Sequence, residues 1–114
     1  MDYSVDIKSD NLAVAKLSGK VTIYQLQRFK DLLKEVKGRI GNRKRLVFDF
    51  ADLQYMDSLA LGIIVAFSKE FRESGGDIKI IHMNGDLSLI FDVSRLSKVY
   101  EVYDNIEEAG RSFI

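Results

Sequence analysis

A carboxylate and a hydroxyl stand side by side at Asp57-Ser58, directly after the apolar Tyr55-Met56 and directly before Leu59-Ala60-Leu61-Gly62. The segment carries a buried strand into an apolar helix, so the pair falls at a helix start. Backbone N–H groups there lack intrahelical partners, and the helix dipole ends positive. Two chemistries fit such a place. Either side chain can cap the helix by accepting one of those N–H bonds. Alternatively, Ser58 stands as an exposed hydroxyl that a kinase can reach, where phosphate adds about −1.5 to −2 charges. The helix N-terminus tolerates that charge within the chain, whereas Asp57 and an apolar or acidic partner surface oppose it. Two or three interface hydrogen bonds lost at ~1 kcal/mol each weaken docking roughly 30- to 150-fold, enough for a switch.

Other residues with chemical potential have weaker claims. His82 is the only histidine, falls inside an expected strand, and has no cysteine or second histidine to complete a metal set, so it reads as structural. Asp49, Asp52 and Asp57 near one strand end resemble the acidic cluster of a response-regulator receiver, which binds magnesium. The acidic pair expected after the first strand is missing, because Lys8, Ser9 and Asp10 lead into a hairpin instead. Lys37, Arg39, Arg43, Lys44 and Arg45 read as a solvated turn, since no aromatics interleave with them as they would in a nucleic-acid surface. Gly75-Gly76 lacks the spacing of a phosphate-cradling loop and reads as a helix stop. Ser58 has no histidine base nearby and no flanking glycines of a nucleophile elbow. The expectation is a binding module, not an enzyme, with no cofactor and no metal.

Composition supports that class. A chain of 114 residues suits one domain, taken as residues 1–114. Its 46% apolar and 30% charged residues can bury a core and still coat it with solvated groups. Seventeen basic and seventeen acidic residues cancel, so no net field draws the chain onto nucleic acid or an anionic membrane. A partner is then found by shape and local polarity, while oligomeric state stays open. Cysteine is absent, which fits a reducing compartment and makes cytoplasm the expectation. Met1 to Lys8 has no basic start followed by an apolar run, and nothing approaches the ~20 apolar residues of a membrane span.

The elements that must position Asp57 and Ser58 follow from periodicity. Tyr3, Val5 and Ile7, then Leu12, Val14 and, after a slip, Leu17 alternate as half-buried strands, with Ser9, Asp10 and Asn11 as the turn of a hairpin. Phe29, Leu32, Leu33, Val36 and Ile40 share one face of a helix expected over Tyr24 to Lys37, with Gly38 and Gly41 at its end. Leu46 to Phe50, bounded by Ala51 and Asp52, reads as a central strand buried on both faces. A second helix starts near Asp57 or Ser58 and stops at Gly75 and Gly76. Ile78 to Met83 is the next strand. Gly85 and Asp86 open a third helix with Leu87, Ile90 and Phe91 inward; Val99 to Tyr103 is a last strand, and Asn105 with Glu108 forms a capping box for a terminal helix. Hairpin first, then alternating helices and strands, gives an α/β fold with a mainly parallel inner sheet.

Asp57-Ser58 followed by Leu61-Gly62, after the strand Leu46-Val47-Phe48-Asp49-Phe50, resembles the centre of the STAS domain, the module of sulphate transporters and anti-sigma factor antagonists. Gly19, the stretch Glu73 to Asp77, and Leu96 to Asp104 leading to Ile106-Glu107-Glu108-Ala109 extend the likeness over nearly the whole chain. The resemblance implies a STAS-like fold and an anti-sigma factor antagonist. In that family a partner anti-sigma factor, itself an ATP-dependent serine kinase, is bound by the unphosphorylated antagonist and frees its sigma factor for transcription. Phosphorylation reverses this. Ser58 matches the phosphorylated serine, and Asp57, Leu59, Leu61, Gly62 and Thr22 fall on or under the implied docking face. An alternative within the same fold is an unphosphorylated STAS subunit of a membrane transporter or signalling scaffold. The chain departs from the family at Leu59 and Ala60, where a small or polar residue and then glycine are usual; Ala60 places a methyl group where a kinase backbone would approach. Thr22 and Gln25 replace the usual aspartate and threonine, and Arg95 stands where glycine is common.

Overall fold

The change of period after Gly19 becomes a change from hairpin to crossover. In the computed structural model, which describes residues 1–113, β1 (Asp2–Ile7) and β2 (Leu12–Val21) pair antiparallel, with Tyr3 opposite Leu17 and Val5 opposite Ala15. A 3-10 turn (Ile23–Gln25) leads into α1 (Leu26–Ile40), followed by β3 (Arg45–Met56), α2 (Ser58–Glu73), β4 (Asp77–Ile81) and α3 (Gly85–Val93). A second 3-10 turn (Leu96–Lys98), β5 (Glu101–Tyr103) and α4 (Ile106–Ser112) complete the chain. Strand order is β1-β2-β3-β4-β5, and every pair after the hairpin is parallel, as expected when each strand is reached through a helical crossover. The result is a compact α/β domain with a five-stranded mixed sheet.

The helices divide unequally between the faces. Phe29, Leu32 and Val36 of α1, Ala60 and Ile64 of α2, and Leu87 and Phe91 of α3 pack with Ala13, Ala15 and Leu17 of β2 and Leu46, Phe48 and Phe50 of β3 in the main core. Val14, Val47 and Ile81 face the other way, onto Ala109 of α4 and Phe113. Both parities of β2 are therefore apolar. The break between Val14 and Leu17 is a change of face, with Leu12 and Val14 toward α4 and Leu17 toward the main core.

Several boundaries differ from expectation for definable reasons. β3 runs to Met56 instead of stopping near Ala51, because its second half pairs with β2 alone, and only its first half is covered on both faces. Gly38 lies inside α1, and the helix ends at Gly41, whose φ of 63° suits glycine. β4 ends at Ile81, because His82 adopts a left-handed φ of 60° that a strand cannot accommodate. Ile7, expected inward, is exposed at the hairpin end. Val99 and Tyr100 precede β5 instead of belonging to it. Asn105 caps α4 by accepting from Glu108 N–H at 2.9 Å, but the reciprocal capping box occurs at Thr22 and Gln25.

Candidate functional site

The extension of β3 builds the site. The last β3–β4 pair is Asp49 with Ile81, whereas β2–β3 pairing continues to Val21 with Met56. Residues beyond Asp49 thus project past the end of β4, and α2 starts at their tip. Two bonds tie that tip to its neighbours: Asp57 N–H donates to the Val21 carbonyl at 3.1 Å, and Asn84 Nδ2 donates to the Leu53 carbonyl at 2.9 Å. Asn84 also caps α3 through Leu87 N–H, so the starts of α2 and α3 are both anchored to the extension.

Between the two candidate caps, the backbone chooses Asp57. Its extended conformation, φ −83° and ψ 177°, lets Oδ1 accept from Ala60 N–H at 2.9 Å, while its carbonyl accepts from Leu61 N–H at 3.0 Å. Ser58 is the first helical residue and exposed, and its hydroxyl forms no hydrogen bond among the described residues. The N–H groups of Ser58 and Leu59 likewise have no acceptor among them. A hydroxyl and two helix-terminal donors therefore share one solvent-facing corner.

The flanking residues sort by burial. Leu59 is 51% exposed, and Gly62 is exposed with open space where a Cβ would stand. Leu61 is only 4% exposed and packs in the main core, so it supports the face from beneath. Ala60 is fully buried, which corrects the expectation that its methyl group meets an approaching kinase: the methyl points into the core. Thr22 and Gln25 are bonded to each other. Gln25 Oε1 accepts from Thr22 N–H at 2.9 Å and from the Thr22 hydroxyl at 2.7 Å, replacing the usual family pair with a self-contained turn.

That turn presents two side chains that the sequence pattern did not mark. Ile23 is 57% exposed and Tyr24 91% exposed. Because Val21 and Met56 are neighbours in register, Ile23-Tyr24 and Ser58-Leu59 leave the sheet from adjacent strand ends. A tyrosine and an isoleucine together before a helix whose inward face begins only at Leu26 and Phe29 were the available signal.

The remaining acidic and histidine candidates are dispersed among separate partners. Asp49 Oδ1 lies 2.9 Å from His82 Nδ1, on the sheet face away from the main core. Asp52 pairs with Lys16 at 3.0 Å and, by hydrogen bond and charge, holds that ammonium above its usual pKa range. Asp57 is committed to its cap, so the three carboxylates do not converge. Two of the basic residues are likewise spent locally: Arg43 donates to the Ser9 and Ile40 carbonyls, and Lys44 Nζ to the Ser74 carbonyl at 3.0 Å. Sequence reasoning missed Lys79, whose side chain is 7% exposed and meets Glu101 at 2.6 Å and Asp77 at 3.4 Å. Burial alone would lower its pKa, but those two carboxylates outweigh it and the pKa rises.

The fold that carries this capped helix start belongs to a known class. The family model for the STAS domain matches residues 4–109, and the chain belongs to that family. Over 103 residues it is 25% identical to the anti-sigma-B factor antagonist of Bacillus subtilis, spanning 90% of this chain and 92% of that protein. With the anti-sigma F factor antagonist of Paenibacillus polymyxa it shares 32% identity over 62 residues, a match that spans 54% of this chain and 53% of that relative. Its fold is similar to that of the anti-sigma factor antagonist SpoIIAA in its unphosphorylated form, with a TM-score of 0.75 at 16% identity over 99% of each chain. Among the described residues no helix is long and apolar enough to cross a membrane.

Proposed function

We propose that this chain is a cytoplasmic anti-sigma factor antagonist. In its unmodified state it docks on an anti-sigma factor that is also an ATP-dependent serine kinase, and phosphorylation of Ser58 ends that docking. The observation that carries this reading is the division of labour at the start of α2: Asp57 supplies the cap and leaves the Ser58 hydroxyl exposed and unbonded. The names of the Bacillus and Paenibacillus relatives support the partner class.

The physics of the switch follows from the corner. Phosphate on Ser58 sits beside two unsatisfied N–H donors and the positive end of the α2 dipole, so the fold accommodates it. The partner meets a new charge of about −2 next to the Asp57 carboxylate and within an apolar rim of Leu59, Ile23 and Tyr24. Burying that charge against an apolar or acidic surface is unfavourable, and docking weakens. Catalytic groups come from the kinase; this chain contributes the acceptor hydroxyl and the surface.

Incubation with ATP and the candidate kinase, followed by mass-spectrometric mapping, tests the acceptor. Acid-stable phosphate on Ser58 is the expected result. A labile phosphate on an aspartate instead overturns the reading, and an unmodified chain that still binds points to the scaffold or transporter-subunit alternative. In a titration against the same kinase, Ser58→Asp is expected to bind roughly 30- to 150-fold more weakly than wild type. Equal binding counts against the switch.

A further inference from the structure

An open groove of about 340 Å³ runs between α1 and α2, away from the sheet. Leu33, Ile63 and Phe67 form its floor, and Lys30, Lys34 and Lys37 form one wall along α1. All three lysines are exposed. Among the described residues Lys30 and Lys34 have no ion pair, and Lys37 meets Glu70 of the opposite wall only at 3.7 Å. The acidic residues of α1 are engaged elsewhere: Asp31 accepts from Gln27, and Glu35 accepts from Arg28 and Tyr3. In a chain whose total charge is zero, the groove is thus a local concentration of positive charge over an apolar floor.

That combination specifies an occupant. A groove between two helices with an apolar floor accepts the apolar stripe of a third helix, laid in by residues at i, i+3, i+4 and i+7. A wall of three lysines at helical spacing selects acidic residues on one flank of that stripe and disfavours basic ones. The α2 side of the groove is formed by Ile63, Ala66, Phe67 and Glu70. We propose that the α1–α2 groove is a second docking surface, for an amphipathic helix with an acidic flank carried by a partner protein. Binding there depends on the α1 lysines and not on the state of Ser58.

The test uses the full chain, isotopically labelled for two-dimensional amide NMR, and a synthetic 18-residue helical peptide with a leucine stripe and glutamates on one flank. Saturable shifts at Leu33, Ile63, Ala66 and Phe67 are expected, weakening as salt is raised from about 50 to 300 mM. The exposed double variant Lys30→Glu/Lys34→Glu should keep the wild-type melting temperature and bind about tenfold more weakly, the sum of two lost and reversed surface pairs. Ser58→Asp should bind the peptide as wild type does, which separates this surface from the switch. The proposal is overturned if shifts fall outside the groove, if lysine in place of glutamate in the peptide leaves affinity unchanged, or if the double variant binds equally well. It is also overturned if dodecanoate displaces the peptide and binds more tightly, which assigns the groove to an anionic amphiphile. Concentration-dependent dimerisation through the same residues overturns it too, since the groove is then an interface between copies.

Discussion

Two serines ten positions apart on α2 meet opposite fates. Ser58 stands exposed at the first turn with its hydroxyl unbonded, because Asp57 has taken the capping bond. Ser68 is 1% exposed: its hydroxyl donates to the Ile64 carbonyl at 2.9 Å and accepts from Tyr100 at 2.5 Å. Below it the helix is locked. Phe71 stacks on Phe67 at 6.1 Å, and Arg72 lies 5.2 Å over the Tyr100 ring. One end of the helix is finished internally, and the other leaves an unbonded hydroxyl facing outward. The contrast teaches that a hydroxyl is left free at a helix start when a neighbour has already met the backbone's demands.

Substitutions can break that contrast in order of size. Gly76→Ala has the largest effect, since its Cβ would lie 2.4 Å from Phe71 Cε2, in a ring that cannot withdraw from the core; a loss of about 2–3 kcal/mol in urea unfolding is expected. Tyr100→Phe comes next, at about 1 kcal/mol, because Ser68 keeps its bond to Ile64 and no buried donor is orphaned. Its signature is in pH. Burial pushes the Tyr100 phenol up, against the opposing Ser68 hydrogen bond and Arg72 charge. The unfolded phenol ionises near 10.0 while the folded one stays neutral, so this share of stability is present below that pH and is lost as pH rises past it. Melting curves of Tyr100→Phe above pH 10 should therefore fall less steeply than wild type.

The outward end should respond more weakly. Asp57→Ala removes the cap and is expected to cost about 1 kcal/mol in thermal or urea unfolding. Ser58→Ala should change stability by less than about 0.5 kcal/mol, the range of surface substitutions away from caps. A larger loss at Ser58 than at Asp57 would reverse the assignment of the cap and erase the distinction between the two serines.

Element types and their order were readable because each buried stripe keeps its period: Phe29, Leu32, Val36 and Ile40 for α1, Ile78 and Ile80 for β4. Ends were less readable, because they depend on partners distant in the chain. β3 continues past Phe50 only because β2 is long enough to pair with it. Left-handed residues were invisible as such: His82 and Arg95 both hold φ of 60°, which ordinary side chains adopt at a cost. At Arg95 the family habit of glycine had marked the place. For the site, Asp57 and Ser58 were legible as a helix start, but both cap well, so composition could not say which one does. Ile23 and Tyr24 escaped because exposure of an apolar residue in a turn has no periodicity to betray it.

The assignment of the cap to Asp57 also bears on how such a chain ages under mutation. Since the hydroxyl holds nothing in place, its loss triggers no misfolding and no clearance by proteases that recognise unfolded chains. On the proposed function, a lineage that drops Ser58 keeps a well-formed domain and loses only its phosphate acceptor. If Ser58 is the phosphate acceptor proposed above, its inheritance rests on that signal alone, with no help from the scaffold around it.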